Sequence, residues 1–191
     1  MLLLLYHKWI SQFDARGKEI ERAYFDTDGQ PTLLKDDGYH KWISQFDTRG
    51  EEIEKAYFDT DGQPILLKDG YHKWIAQYDA RGNTIERAYF STNGQLTLLK
   101  NGYHKSTWQY DAQGNQTEVA YFGTDGQPIL VEEGYHKWVL QYDAQGNKTE
   151  EAYFGTNGQP ILKDGHHKLT LQYDAQGNKT EEAYCIDNFK N

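Results

Sequence analysis

Hydrophobic and aromatic residues alternate with polar residues along short stretches of the chain, and turn residues separate these stretches. Tyr71–Tyr78 reads YHKWIAQY and Thr84–Phe90 reads TIERAYF, so both are rich in aromatic and β-branched residues. The five residues between them, Asp79–Asn83, read DARGN. This spelling fits a type I turn in which Gly82 is left-handed and a bulge follows. The pattern predicts a β-hairpin.

A third apolar stretch follows each hairpin. After a TNGQ or TDGQ turn the chain reads LTLL at 96–99 or PILL at 64–67, and a KNG or KDG turn then leads to the next YHK. We therefore expect strand, hairpin turn, strand, turn and short strand in each unit. A helix–turn–helix repeat is the alternative, because Tyr71, Trp74 and Tyr78 also fall at helical spacing. The glycine inside every proposed hairpin and the shortness of the segments favour strands.

This unit is written about six times. Its copies start at the YHK tripeptide, or at HHK in the last copy: Tyr6, Tyr39, Tyr71, Tyr103, Tyr135 and His166. The intervals are 33, 32, 32, 32 and 31 residues, and the sixth copy stops before its DGQPIL segment. Such regular spacing predicts a single repeat array over residues 1–191, with no room for a separate catalytic domain.

The predicted fold is all-β, with tandem hairpin repeats forming an extended, twisted or coiled antiparallel sheet. The alternative is a closed, propeller-like ring of six units. In that ring Leu2–Leu5 would supply the short strand that the last copy lacks. The MLLLL opening is too short for a signal peptide or a membrane span, so we expect neither from it.

One face of the first strand of each hairpin is predicted to pack. In the third copy His72, Trp74, Ala76 and Tyr78 point the same way, because side chains alternate along a strand. In the fourth copy the tryptophan moves by two places, to Trp108, and so stays on that face. We expect these faces to form a ladder of rings along the array.

The hexad YDAQGN occurs at 110–115, 142–147 and 173–178, and related spellings occupy the earlier copies. Its third and fourth residues vary, which indicates a solvent-exposed turn tip. The longer spelling YD-x-x-GN-x-TE, from Tyr110 to Glu118, resembles the YD, or RHS, repeats of bacterial surface and toxin-delivery proteins, and more distantly MORN arrays. The resemblance implies antiparallel sheets with the hexad at hairpin turns, and MORN arrays act mostly as interaction scaffolds. The period here is longer than in RHS repeats, and no autoprotease or toxin segment is present, so toxicity does not carry over.

The tryptophans are the best candidates for binding, since their rings could stack on sugars or anchor a protein partner, although packing in a core is the alternative. The histidines on the same face are the second candidates. The candidate binding residues are Trp9, Trp42, Trp74, Trp108, Trp138, His7, His40, His72, His104 and His136. One histidine per unit forms no local chelate, so neither a metal site nor a cofactor is predicted.

Two further motifs suggest chemistry and have simpler explanations. His72, Lys73 and Glu86 could perform acid–base catalysis, but every copy carries the same groups and no asymmetric site stands out. Cross-strand pairing explains them, and we expect no enzyme. The DTDG spelling at Asp26–Gly29 and Asp59–Gly62 resembles the start of a calcium loop. Later copies lose the first carboxylate and keep the glycine, which favours a turn.

Charge narrows the class of partner. The net charge of −9 argues against nucleic acid, because phosphate binding needs clustered cations. The single cysteine excludes an intrachain disulfide. We therefore expect a non-enzymatic scaffold for protein–protein interaction, or for self-association through sheet edges or ends. The alternative is a lectin-like module that binds a glycan at one aromatic site per repeat.

Overall fold

The computed structural model describes residues 8–186, and every regular element in that range is a β-strand. The strands come in pairs, each pair joined by one hexad turn. They are β1 Lys8–Phe13, β2 Glu19–Phe25, β3 Lys41–Phe46, β4 Glu52–Phe58, β5 Lys73–Tyr78, β6 Thr84–Phe90, β7 Lys105–Tyr110, β8 Gln116–Phe122, β9 Lys137–Tyr142, β10 Lys148–Phe154, β11 Lys168–Tyr173 and β12 Lys179–Cys185.

The predicted all-β repeat fold is confirmed. The order of the strands in the sheet is their order in the chain, from β1 to β12, and the sheet is open. The closed ring is therefore wrong for the described residues, and Leu2–Leu5, which were expected to close it, lie outside them. Two compact units are present. Unit 1 holds the described residues up to Tyr78 and Arg87–Lys100, and unit 2 holds Asp79–Glu86 and the described residues from Asn101 onward.

The hexad forms the predicted turn. In the fourth copy the Asp111 N–H donates to the Asn115 carbonyl at 2.9 Å, and the Gly114 N–H donates to the Asp111 carbonyl at 3.1 Å. One carboxylate oxygen of Asp111 also accepts from the N–H groups of Gln113 and Asn115 at 2.9 and 2.8 Å. Gly114 has φ 92°, a conformation that disfavours side chains, and a bulge lies between Gln109 and Tyr110. The Asp and Gly residues of the hexad are thus turn residues.

Pairing is longer within a hairpin than between hairpins. Strands β3 and β4 align six residue pairs, from Lys41↔Phe58 to Phe46↔Glu52. Strands β4 and β5, of consecutive hairpins, align only three pairs, centred on Lys55↔Trp74. Fewer residue pairs therefore join one hairpin to the next than join the two strands within a hairpin.

The predicted third strand is wrong. The segments expected to form it make a single antiparallel bridge each, such as Phe58↔Pro64 and Phe90↔Leu96, and then continue as irregular backbone. The edge of β4 is already shared between the next hairpin and the connector. The Tyr57 N–H donates to the His72 carbonyl, and the Tyr57 carbonyl accepts from the Ile65 N–H. No length of free edge remains there for a further ladder.

The predicted packing face is confirmed in the second and third hairpins and is wrong for the first, whose Trp9 and Phe13 are exposed. His72, Trp74 and Ala76 are buried, and Trp74 is only 7% exposed, whereas Gln77 on the opposite face is exposed. The ladder of rings is built mainly of tyrosines. In unit 1 the ring centroids of Tyr24, Tyr39, Tyr57, Tyr71 and Tyr89 follow one another at 5.9, 4.9, 6.0 and 5.1 Å. In unit 2 those of Tyr103, Tyr121, Tyr135 and Tyr153 follow at 4.8, 6.0 and 5.1 Å.

Candidate functional site

The tryptophans of unit 1 differ in accessibility. Trp42 and Trp74 are buried beneath cationic side chains: the Lys55 ammonium lies 4.0 Å from the Trp42 ring centroid, and the Arg87 guanidinium 4.5 Å from that of Trp74. Such cation–ring contacts stabilise the packed face. Trp9, in the first strand, is 58% exposed. Among these three rings, Trp9 alone presents a large accessible surface.

The tryptophans of unit 2 pack against an aliphatic side chain instead. Trp108 and Trp138 both lie opposite the buried Val119 in the strand register, one on either side of it. Both tryptophans are half-buried. Their role as binding residues stays a prediction.

The histidines of the repeat pack edge-on against phenylalanine rings. Centroid distances are 5.5 Å for Phe25–His40 and 5.3 Å for Phe58–His72. The Nδ1 atom of His40 lies 3.3 Å from the Thr32 carbonyl, and that of His136 lies 2.7 Å from a different carbonyl, that of Tyr121 in the second strand of the fourth hairpin. Burial lowers the pKa of His72, so its neutral form is favoured. His104 is also buried, and His7 lies outside the described residues. These positions are typical of structural histidines.

The lysine after each histidine joins one hairpin to the next. Its ammonium contacts the third residue of the preceding second strand, at distances between 2.7 and 3.7 Å. The pairs are Lys41–Glu21, Lys73–Glu54, Lys105–Glu86, Lys137–Glu118 and Lys168–Glu150. The Lys and Glu of the candidate acid–base group therefore form the cross-strand pairs that the sequence predicted.

The DTDG segments are turns. One carboxylate oxygen of Asp26 accepts from the N–H groups of Asp28 and Gln30 at 2.9 and 2.8 Å. Asp59 does the same in the second copy. The first aspartate of each segment thus stabilises its own turn, and residues 8–186 contain no group of three or more metal-ligating side chains.

Each of the first five hairpins is followed by a connector that exposes a leucine at the same position, which the sequence analysis did not single out. These leucines are 42–53% exposed. They are Leu33, Leu66 and Leu98 in unit 1 and Leu130 and Leu162 in unit 2. The residue before each leucine is held by the same hydrogen bond, as when the Ile65 N–H donates to the Tyr57 carbonyl. Alternation within PILL could have indicated the outward leucine, had the stretch not been assigned to a packed strand. We call this set the leucine row. The third connector exposes Leu96 as well.

Comparisons with known proteins find solved structures of low similarity and show no family. No family model matches the chain, and no curated protein matches it. A solved Tc holotoxin pore of Photorhabdus luminescens is 11% identical with a TM-score of 0.41, over 93% of this chain and 10% of that one. A TcdB2–TccC3–Cdc42 structure is 13% identical with a TM-score of 0.39, over 96% of this chain and 12% of that one. The chain thus spans about a tenth of those proteins, and these values carry no inference about function. No stretch of helix suited to crossing a membrane occurs in residues 8–186.

Proposed function

We propose that this protein is a non-enzymatic repeat scaffold that binds a protein partner along the part of the leucine row that each unit carries. The observation that carries the proposal is the exposure of one leucine at the same place in five successive connectors. Contiguous exposed apolar surface marks interaction sites, and we propose that these leucines act together as one such surface within a unit. The repeated anchoring of each connector gives this set a defined geometry.

The spacing of the row favours an elongated partner. In unit 1 the residue before each leucine donates a backbone hydrogen bond to a tyrosine carbonyl in the second strand of the same hairpin. The donor and acceptor pairs are Thr32 and Tyr24, Ile65 and Tyr57, and Thr97 and Tyr89. Two strands separate equivalent positions, so successive leucines lie roughly 10 Å apart. A small ligand would contact one of them, whereas an extended protein segment contacts several.

The polar side chains that could act in catalysis instead make contacts between strands, which supports a scaffold rather than an enzyme. Lys73 pairs with Glu54 at 3.3 Å, and His72 packs on Phe58 at 5.3 Å. Equivalent contacts recur in other copies, so the same groups hold the array together. We infer that they are structural, and that the chain is not an enzyme.

A matched pair of variants tests the interaction surface. The triple variant Leu33→Ser, Leu66→Ser, Leu98→Ser removes the row in unit 1, and the control Gln30→Ser, Gln63→Ser, Gln95→Ser changes three exposed residues with the same periodicity. Partners captured by crosslinking are purified and titrated against both. We expect at least tenfold weaker binding for the leucine variant alone. Equal binding by the two variants would refute the leucine row as the interface.

A lectin-like module is the second candidate, and the exposure of Trp9 favours it. The Trp9 ring is 58% exposed, and the Arg22 guanidinium lies 5.7 Å from its centroid. Accessible indole rings stack on sugars in carbohydrate-binding proteins. A glycan array probed with the wild type and with Trp9→Ala decides the matter: binding that disappears in the variant supports the lectin, and silence on the array excludes it.

Self-association through a sheet edge is part of the same proposal. Strand β1 exposes Trp9, Ile10 and Phe13. Exposed edge strands with apolar side chains favour pairing with another chain. Sedimentation of the wild type and of Ile10→Lys tests this: a concentration-dependent oligomer that the lysine abolishes supports edge pairing, and a monomer at all concentrations contradicts it.

We also propose that the repeats are of the YD, or RHS, type. The support is the turn itself, in which Asp111 and Gly114 of YDAQGN close a bulged hairpin. An alignment of natural relatives tests the proposal: the hexad should recur in them together with the hairpin period found here.

A further inference from the structure

The one long interval in the repeat changes the structure of a turn. The first copy is 33 residues long because its last turn reads KDDG at Lys35–Gly38, where the second copy reads KDG at Lys68–Gly70. In the first turn the Gly38 N–H donates to the Leu34 carbonyl, four residues back. In the second, the Gly70 N–H donates to the Leu67 carbonyl, three residues back. The extra aspartate therefore widens the first turn.

The widened turn also meets its neighbour differently. Between regular turns a backbone bond joins one to the next, from the Lys100 N–H to the Asp69 carbonyl at 3.1 Å in unit 1. In unit 2 the Glu132 N–H makes the equivalent bond to the Asn101 carbonyl at 3.2 Å. At the widened turn the contact is made instead by the Lys68 side chain, whose ammonium donates to the Asp36 carbonyl. A lysine side chain therefore links these two turns, where a backbone N–H group links the regular ones.

A cavity of about 320 Å³ lies between these two turns. Its lining includes three tyrosine rings from the ladder, and the centroid distances are 4.9 Å for Tyr39–Tyr57 and 6.0 Å for Tyr57–Tyr71. Three aspartates, Asp36, Asp37 and Asp69, line it as well. We call this feature the tyrosine–aspartate cavity. It lies wholly within unit 1 and coincides with the irregularity in the repeat.

The charges around the cavity favour a cation. The lining residues carry three carboxylates, on Asp36, Asp37 and Asp69, and one ammonium, on Lys68, so their net charge is negative. Burial raises the pKa of Tyr39, and Tyr24 and the Asp37 carboxylate raise it further. The rings therefore stay neutral, and the negative faces of neutral tyrosines attract cations.

We propose that the tyrosine–aspartate cavity binds the guanidinium group of an arginine side chain carried by a protein partner. Arginine fits because its planar group stacks on aromatic rings and donates two parallel hydrogen bonds to a carboxylate, whereas lysine offers a point charge. The proposal names a contact that the scaffold would make with its partner. It rests on the proposed scaffold function only in that a protein partner supplies the arginine. The pocket itself can be tested without the partner.

The experiment titrates N-acetyl-arginine amide into the ¹⁵N-labelled full chain and follows the amide signals of Gly38 and Gly70. We expect saturable shifts at millimolar concentration, as for a single side chain in a small pocket. Deleting Asp37 restores the KDG spelling of the second copy, so the fold should be retained while the affinity falls at least tenfold. Lys68→Gln removes the resident cation, and we expect severalfold tighter binding.

Controls separate a built pocket from general charge attraction. Asp61→Asn lowers the negative charge at an exposed turn of unit 1 and should bind as the wild type does. N-acetyl-lysine amide should bind several times more weakly than the arginine probe. Equal affinity for the two probes, an unchanged affinity after Asp37 deletion, or the absence of saturable shifts would each overturn the proposal. The triple leucine variant should bind the probe as the wild type does. A failure of the leucine-row proposal can therefore be distinguished from a failure of the cavity proposal.

Discussion

The early and late hairpins carry the same charge pair with opposite polarity. In the first hairpin the second strand starts with Glu19, and the Arg22 Nε lies 2.7 Å from its carboxylate; Glu52 and Lys55 repeat this in the second at 3.4 Å. In the last two hairpins the cation comes first and the carboxylate three residues later. Those pairs are Lys148–Glu151 and Lys179–Glu182.

The neighbours of each pair account for its polarity. In the early hairpins the cation lies over a tryptophan ring, as Lys55 does over Trp42, and Ser44 donates to Glu52 at 2.5 Å. In the fifth hairpin Leu140 stands where Ser44 stood, and the Tyr153 hydroxyl donates to Glu151. The comparison teaches that these two positions accept either polarity, and that the adjacent rings and hydroxyls decide the sign. The pair itself is not required, because the third hairpin has Thr84 and Arg87 there and the fourth has Gln116 and Val119.

The largest effect is expected where the cation–ring packing of the early hairpins is removed. Trp42→Ala leaves a cavity under Lys55 and should lower the free energy of unfolding by about 3–5 kcal/mol. Trp9→Ala, at an exposed ring, should cost less than about 1 kcal/mol. Urea unfolding followed by circular dichroism measures both. Similar losses for the two variants would contradict a packed tryptophan face.

Glycine substitution in the hexad turn comes next. Gly146 has φ 86°, so Gly146→Val should lower the free energy of unfolding by about 1–3 kcal/mol through backbone strain. Gly50→Val, in the early half, should cost at least as much, because Lys18 Cε lies only 3.1 Å from the added Cβ. Thermal unfolding compares them with Gln145→Ala as control. A neutral Gly146→Val would show that the turn tolerates another conformation.

Reversal of one late pair tests whether polarity matters. Glu151→Lys alone places two cations three residues apart and should cost about 1 kcal/mol. Adding Lys148→Glu recreates the early polarity and should recover most of the loss. A double-mutant cycle in urea gives the coupling. Additive losses would mean that the two positions do not interact.

The smallest effects are expected at the fourth hexad residue. The variation there predicted an exposed tip, and Arg16 is exposed, yet its guanidinium donates to the Asp47 carbonyl of the next turn at 2.9 Å. Arg81 reaches the Ala112 carbonyl in the same manner. Arg81→Gln should destabilise, and Gln145→Arg stabilise, by no more than about 0.5 kcal/mol. A change above about 1 kcal/mol in thermal unfolding would show that turn-to-turn contacts matter more.

Local patterns predicted the parts of this fold that depend on a few neighbouring residues. The hairpin between Tyr78 and Thr84 follows from turn chemistry at Gly82, and the buried side of β5 follows from alternation around Trp74. The third strand failed because its partner edge was already used by the following hairpin, a fact that no single segment contains. The exposed leucines, among them Leu66, were not predicted, because the same segment was assigned to a packed strand.

The sequence by itself determined the period, the hairpins and the identity of the packed face, because turn propensity and strand alternation act within one unit. Only the tertiary structure decided which groups are accessible. Trp9 and Trp74 have the same local spelling, yet one is exposed and the other lies beneath Arg87, since burial depends on the neighbouring strands. The sequence shows the extra aspartate, Asp36 or Asp37, as a first repeat interval of 33 residues where the next three intervals are 32. Its consequence, a cavity beside the tyrosine ladder, required two turns to be brought side by side.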